Sequence, residues 1–246
     1  MTPRQRADRL LVERGLFESR ARAQAAIEAG LVSANGKRVR KPSEEIDIGA
    51  QIDAQPVHPY VSRGGVKLAH ALDTFALDPQ GRFCLDVGAS TGGFTQVLIE
   101  RGARKVFAVD VGHDQLHASL RDDPRIVSLE GTDIRALAPA ALTDQPDLIV
   151  IDASFISLKL VVPAALALAA HGCDLVALIK PQFEAPRSVI KKGIVRDANV
   201  HDATCNDIAE FLVTQGCAIT GLTPSPIEGG DGNREFLIAA RHGARP

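Results

Sequence analysis

The stretch Cys84-Leu-Asp-Val-Gly-Ala-Ser-Thr-Gly-Gly-Phe-Thr95 carries the clearest chemistry in the chain. A short apolar run ends at Gly88, and Gly92 and Gly93 open an amphipathic segment reaching about Gly102. Glycines in a strand-to-helix turn let the backbone approach a ligand at the helix N-terminus, on the carboxyl edge of a parallel sheet. The pattern is Asp-x-Gly-x-Ser-x-Gly-Gly, not the dinucleotide fingerprint. A carboxylate at Asp86 repels a pyrophosphate but suits a cationic amino acid, such as the methionine part of S-adenosylmethionine. The turn therefore favours methyl transfer over hydride transfer. Asp86, Gly88, Ser90, Gly92, Gly93 and Phe94 are its candidate cofactor contacts.

More charged residues fall where later apolar runs end or begin. Asp110, followed by Val111, closes the second run, 24 residues beyond Asp86, where a carboxylate commonly accepts hydrogen bonds from ribose hydroxyls. Asp133, followed by Ile134, comes after the third run and suits an adenine amino group. Asp152 closes the fourth, beside Ser154-Phe155. A single strand-end Asp is as often a helix cap, but three in succession around a glycine-rich turn point to a nucleoside-type cofactor. Lys180 ends the apolar part of Leu178-Ile179-Lys180-Pro181-Gln182-Phe183-Glu184, where a lysine is costly unless a partner or chemistry justifies it. Lys67 lies in Ser62-Arg63-Gly64-Gly65-Val66-Lys67-Leu68, and Glu235 follows Gly229-Gly230-Asp231-Gly232-Asn233-Arg234. Taken singly, these last two read as surface charges.

Positioning such residues takes a sheet. From Val61 onward, strands are expected at Phe83–Gly88, Lys105–Asp110, Ile126–Glu130, Asp147–Asp152, Asp174–Lys180, Cys217–Leu222 and Glu235–Arg241. Helical patterns separate most of them, at about Gly65–Phe75, Phe94–Arg101, Asp114–Leu120, Leu158–Ala169 and Val200–Thr214. The alternation predicts an α/β domain with a mostly parallel seven-stranded sheet covered on both faces, its crevice outside the carboxyl ends of the strands.

A smaller basic module precedes it. Helical patterns at Asp8–Arg14, stopped by Gly15, and at Arg20–Ala29, capped by Ser19 and stopped by Gly30, lead into a hairpin turned by Asn35-Gly36. Residues 1–41 hold ten Lys/Arg against four Asp/Glu, although the 246-residue chain has a net charge of −2. Arg6, Arg9, Arg20, Arg22, Lys37, Arg38, Arg40 and Lys41 crowd onto this small unit, which favours a phosphate-contacting face over a merely solvated one. The proline-bearing stretch 54–59 reads as a linker, so the expected division is 1–56, a linker at 57–62, and 63–246. Cys84, Cys173, Cys205 and Cys217 show no CxxC spacing and are expected as reduced core thiols; no metal is expected. The N-terminus lacks an apolar signal region, and the longest apolar run, Leu160 to Ala170, falls well short of the ~20 residues that span a bilayer. A soluble cytoplasmic protein, with no membrane partner, is expected.

The order of residues also carries resemblances. Arg6-x-Asp8-x-x-Leu11, Gly15-Leu16-Phe17-x-Ser19-Arg20, Ala23, Ile27, Gly30-x-Val32 and Asn35-Gly36-x-x-Val39 resemble the alpha-L RNA-binding domain of the ribosomal protein S-four type. That resemblance implies a small α+β module that binds structured RNA. The second domain resembles the FtsJ-type ribose methyltransferases, Rossmann-like class I enzymes whose Lys-Asp-Lys-Glu tetrad is matched in order by Lys67, Asp152, Lys180 and Glu235. With Ile151-Asp-Ala-Ser-Phe-Ile-Ser157, Val195-Arg-Asp197 and Gly232-Asn-Arg-Glu-Phe236, the whole chain resembles the TlyA family, also called haemolysin A. The resemblance implies S-adenosylmethionine-dependent 2′-O-methylation of ribosomal RNA cytidines, with ribosomal RNA or subunits as partner. Asp133 stands where some relatives carry Asn, so its adenine contact is the less secure one.

Methyl transfer from a sulfonium is an in-line displacement by a ribose 2′-oxygen, a poor nucleophile until its proton is removed or strongly hydrogen-bonded. Lys180 is the candidate base if it is neutral part of the time; if it stays charged, it orients the hydroxyl and stabilises developing negative charge. Asp152 would position Lys180, and Lys67 and Glu235 would fix the nucleoside and the lysine network. A membrane-active haemolysin is disfavoured by the lack of a spanning or strongly amphipathic cationic segment. A non-catalytic RNA-binding factor has no need of a buried lysine, and a dinucleotide oxidoreductase is disfavoured by the turn at Asp86–Gly93.

Overall fold

The computed structural model describes residues 3–243 and divides into two compact units between Pro59 and Tyr60. In the first, β1 (Arg4–Arg6) leads into α1 (Ala7–Glu13) and α2 (Arg20–Glu28), followed by β2 (Val32–Ala34), β3 (Lys37–Arg38), β4 (Glu45–Asp47) and β5 (Ile52–Ala54). Ser19 caps α2 by accepting from the Arg22 amide at 3.3 Å. Asn35 and Gly36 take φ of 50° and 74°, the left-handed pair that a two-residue hairpin turn requires, and they join antiparallel β2 and β3. β5 pairs with the other edge of β2, and β1 pairs with β4. Leu10, Leu11, Phe17, Ala23, Ile27, Val32, Val39 and Ile46 close a core of this unit's own.

The second unit opens with α3 (Arg63–Thr74), β6 (Phe83–Val87), α4 (Gly93–Glu100), β7 (Lys105–Val109), α5 (Ala118–Arg121) and β8 (Ile126–Leu129). There follow β9 (Leu148–Ile151), α6 (Leu158–Leu166), β10 (Asp174–Ile179), α7 (Pro181–Glu184), α8 (Ala198–Thr214), β11 (Cys217–Pro224) and β12 (Phe236–His242). Seven strands form one sheet in the order β11-β12-β10-β9-β6-β7-β8. The five from β10 to β8 run parallel, and β12 is antiparallel to both β10 and β11. Every residue of β9 and β10 is buried, as apolar runs covered on both faces must be; the one charge, Asp174 at the start of β10, pairs with Arg82 and Arg241. One core layer packs α6 and α8 against the sheet and another packs α3 and α4.

The helix expected over Asp114–Leu120 is reduced to the four residues of α5. The Glu130 carboxylate accepts from the Gln115 and Leu116 amides at 2.6 and 2.9 Å, so these groups are satisfied without a helical turn, and Asp114 adopts φ 54°. The four cysteines are buried free thiols.

Candidate active site

Pro181 sets the place of Lys180. A proline cannot continue a strand ladder and holds its predecessor extended, so β10 stops at Ile179, Lys180 keeps φ −112° and ψ 98°, and Pro181 opens α7. The Lys180 ammonium then lies 2.6 Å from Asp152 Oδ1 and donates to Ser154 Oγ at 2.8 Å. Asp152 follows β9 directly, and its amide donates to the Val87 carbonyl at 2.9 Å, which ties the ends of β9 and β6 together. Lys67, on the second turn of α3, meets Glu235 Oε2 at 2.5 Å. Gly229 makes room for that carboxylate, since a Cβ there would lie 2.6 Å from Glu235 Oε1. Lys67 and Lys180 are each 7 % exposed and Glu235 3 %, burial that close ion pairing makes tolerable. The four residues are thus brought together as two ion pairs.

Two cavities meet there. One, of 460 Å³, is walled by Arg63, Lys67, Phe94, Asp152, Ser154, Lys180 and Gly230 among others. The other, of 600 Å³, is walled by Asp110, Val111, Asp133, Ile134, Phe155 and neighbouring residues. Gly88, Ser90, Asp152 and Ser154 belong to both walls. Glu235 lines neither and braces Lys67 from behind.

The glycine-rich turn divides its duties. Gly88 takes φ 85°, and a Cβ there would lie 2.8 Å from the Asp152 carbonyl, so glycine lets the turn press on the strand-end loop. A Cβ on Gly92 would strike Leu116 and Leu120, and one on Gly93 would come within 2.1 Å of Ser62 Oγ and 2.9 Å of the Gly65 amide. Gly93 therefore lets the start of α3, which bears Lys67, close on α4. Phe94 is buried on the wall of the Lys180 cavity, away from the Asp110 side.

Asp86 departs from the expectation of a direct cofactor contact. It is fully buried and lines neither cavity, because its side chain turns to α4, where Oδ2 accepts from Thr95 Oγ1 at 2.6 Å. Its Oδ1 has no hydrogen-bond partner among the described residues. Burial pushes the carboxyl up to about 7, with the Thr95 bond opposing and the Asp152 charge adding to the rise. Asp110 accepts from the Ser90 and Gly112 amides at 2.8 and 2.7 Å, which leaves each oxygen a second lone pair facing the cavity. Asp133 caps a single helical turn and is held by Arg135 Nη2 at 2.5 Å, which draws its carboxyl down to about 2. Asp133 lines the wider cavity while bonded to Arg135. Glu184 caps α6, accepting from Ser157 Oγ at 2.5 Å and the Leu158 amide at 2.8 Å.

The residue pattern assigns no role to Ser154, two residues beyond Asp152, or to Arg63, although both wall the Lys180 cavity. It also passes over Phe155, 89 % exposed at φ 63°, which an apolar pattern cannot distinguish from a core residue.

In the first unit, buried Asp8 accepts from Arg6 at 3.1 and 3.0 Å, from Arg20 at 2.8 Å and from Gln24 at 2.8 Å. The Arg6 hydrogen bond first, then those of Arg20 and Gln24, hold the Asp8 carboxyl far below the usual range against its burial. Arg22 pairs with Glu18 at 3.2 Å. Arg9, Lys37, Arg38, Arg40 and Lys41 are exposed, and Lys37, Arg38 and Arg40 rim one surface hollow with Glu44. The eight expected cations therefore split into a braced set and an open set.

A family model described as FtsJ-like methyltransferase matches residues 60–242, and one described as S4 domain matches residues 5–52. The chain belongs to the FtsJ-like methyltransferase family. It is 47% identical over 239 residues to "Putative rRNA methyltransferase YqxC" of Bacillus subtilis, across 96% of this chain and 85% of that one. It is 42% identical over 244 residues to "16S/23S rRNA (cytidine-2'-O)-methyltransferase TlyA" of Mycobacterium tuberculosis, across 98% of this chain and 91% of that one. Among solved structures, "Putative hemolysin from Streptococcus thermophilus" matches with TM-score 0.79 and 43% identity, across 100% of this chain and 91% of that one. This places the FtsJ-like methyltransferase in the TlyA branch, and its seven-stranded sheet is the Rossmann-like fold that the sequence predicts. Among the described residues no helix is long and apolar enough to cross a membrane, and no His/Cys/Asp/Glu group is arranged to hold a metal ion.

Proposed function

We propose that this chain transfers a methyl group from S-adenosylmethionine to a ribose 2′-hydroxyl of ribosomal RNA, at cytidine, and works in the cytoplasm. The observation that carries the reading is the meeting of two cavities at the Lys180–Asp152 pair. The wider cavity suits the cofactor: Asp110 offers lone pairs to a ribose, and Val111 and Ile134 offer apolar walls to a purine ring. When bound, the cofactor supplies an electrophilic methyl on a sulfonium.

The neighbouring cavity is the acceptor side. Lys180 directs the 2′-hydroxyl and assists the loss of its proton, while Asp152 and Ser154 hold the ammonium in place from within. Lys67 faces the same cavity and, braced by Glu235, fixes the nucleoside. The assignment of these four residues, and of residues 1–56 as an RNA-binding module joined by residues 57–62 to a catalytic domain at 63–246, belongs to this proposal. The target class is supported by the name of the Mycobacterium relative and by the S4 match. The test is incubation of the purified protein with unmodified ribosomal RNA and labelled S-adenosylmethionine, followed by mass-spectrometric mapping. A cytidine 2′-O-methyl is expected; label on a base, or none, would overturn the reading.

A further inference from the structure

Two motifs that the tetrad leaves unexplained, Val195-Arg196-Asp197 and Gly232-Asn233-Arg234, are joined by one side chain. Asn233 is 1 % exposed; its Oδ1 accepts from the Val195 amide at 3.1 Å, and its Nδ2 donates to the Gly193 carbonyl at 2.9 Å. The Asn233 carbonyl accepts in turn from the Gly229 amide at 2.8 Å. Gly230, next along, lines the Lys180 cavity, and Arg63 on the same wall donates to the Glu228 carbonyl. Residues 193 and 195 are thus bonded to the loop that contributes Gly230 to the cavity wall.

What the bonded segment presents is positive charge. Lys191 and Ile194 exchange two backbone hydrogen bonds of 3.0 Å around Lys192 and Gly193, whose φ values are 51° and 78°. This is a tight hairpin turn with both central residues left-handed. Arg187, Lys191, Lys192 and Arg196 are all exposed, and among the described residues none of them pairs with a carboxylate. Asp197, the acid nearest to them in the chain, spends its carboxylate on the Asn199 amide at the start of α8. The surrounding unit is acidic, with eighteen Lys/Arg against twenty-two Asp/Glu from residue 60 onward. Four open cations, on a segment bonded through Asn233 to the loop that gives Gly230 to the Lys180 cavity, reverse that balance locally.

Resting on the ribose-methylation reading, we propose that Arg187, Lys191, Lys192 and Arg196 form a second RNA-contacting surface on the catalytic unit. They grip phosphates flanking the nucleotide in the Lys180 cavity, and Asn233 positions the loop that carries them. Such contacts place the strand without reading its bases.

The test uses full-length protein with all four cations changed to Gln (R187Q, K191Q, K192Q, R196Q). Affinity for unmodified ribosomal RNA is measured against salt. Each phosphate contact contributes about −0.7 to −0.9 to the slope of log affinity against log salt, so a slope flatter by roughly 3 is expected. The KM for RNA should rise about tenfold or more with kcat nearly unchanged, while cofactor affinity and the unfolding midpoint stay put. The charge-conserving Lys191→Arg/Lys192→Arg variant should behave as wild type, and Asn233→Ala should raise the KM for RNA. An unchanged slope and KM in the quadruple variant would overturn the proposal. If wild-type protein methylates no ribose, the functional reading fails, whereas the salt slope still decides whether this surface holds RNA.

Discussion

The Lys180 ammonium lies 2.6 Å from the Asp152 carboxylate at the place where the two cavities meet. The carboxylate contact is an ion pair in which Oδ1 accepts no hydrogen bond among the described residues; of the three ammonium donors, one serves Ser154 at 2.8 Å and one makes a long 3.4 Å bond to the Asp152 carbonyl. The third is the donor available to a substrate hydroxyl.

Lys180→Ala should therefore abolish methyl transfer, with a loss of about 10²–10⁴ in kcat, the span of a lost proton-handling group. Cofactor affinity should stay within about twofold, because the wider cavity is walled by other residues. Asp110→Ala should do the reverse and weaken cofactor binding first. Titration calorimetry with S-adenosylmethionine, set beside single-turnover rates, separates the two. Near-normal turnover in the lysine variant would remove Lys180 from the mechanism.

Lys67 and Glu235 allow a different experiment. Removing one member of a buried ion pair strands the other charge and costs about 3–5 kcal/mol, whereas replacing both by apolar residues is often neutral or stabilising. Lys67→Met and Glu235→Leu should each lower the unfolding midpoint sharply, and the double variant should recover most of that loss. Activity should not return in the double variant, since Lys67 lines the same cavity as Lys180. Recovery of methyl transfer along with stability would show the pair to be structural only.

How far the sequence could be read follows from which interactions are local. All seven strands of the large sheet were legible because runs such as Leu148–Ile151 and residues 175–179 are apolar throughout and are bounded by turn residues or charges. The α5 segment was overextended because Glu130, 14 residues from Leu116 in sequence, satisfies amides that would otherwise need a helical turn. The order of Lys67, Asp152, Lys180 and Glu235 named the charged cluster. It could not say that Lys67 takes Glu235 as partner, a contact spanning 168 residues. Nor could residue types reveal that Asp86 turns to Thr95, that Arg135 bonds to Asp133, or that Asn233 bonds the basic segment to the loop bearing Gly230.

Asp86 gives a pH signature. Burial raises its carboxyl to about 7 in the folded protein, whereas an unfolded chain ionises it near 4. Between those values the unfolded state releases a proton that the folded state keeps, so this group's contribution to stability is full below about pH 4 and is lost as pH rises toward 7. Asp86→Asn preserves the acceptor for Thr95 and removes the titration. Its unfolding midpoint should exceed that of wild type by more at pH 8 than at pH 5, at about 2–4 °C per kcal/mol for a protein of this size. Parallel pH profiles for the two proteins would refute the assignment.

The first unit should be where RNA affinity resides along with the loop at residues 187–196, but its cations cannot all be tested alike. Arg6 and Arg20 both hold buried Asp8, and Arg22 pairs with Glu18, so reversing those three charges would disturb the module's packing as well as its surface. Asp8→Asn should itself lower the stability of that unit. The depressed Asp8 carboxyl stabilises the fold above the ordinary carboxylate range, and that contribution fades as pH falls through it. The informative variant changes the open residues Lys37, Arg38, Arg40 and Lys41 to Gln, which leaves the Asp8 cluster intact. Its RNA affinity should fall and its salt slope flatten by about 0.7–0.9 for each lost phosphate contact, with cofactor affinity unchanged. Deleting residues 1–59 should flatten the slope further. The remainder should still fold and bind S-adenosylmethionine, because the second unit has two cores of its own on its sheet. Equal RNA affinity and equal slope for intact and shortened protein would show that the first unit is no anchor, and would leave the catalytic unit's own basic loop to carry the contact alone.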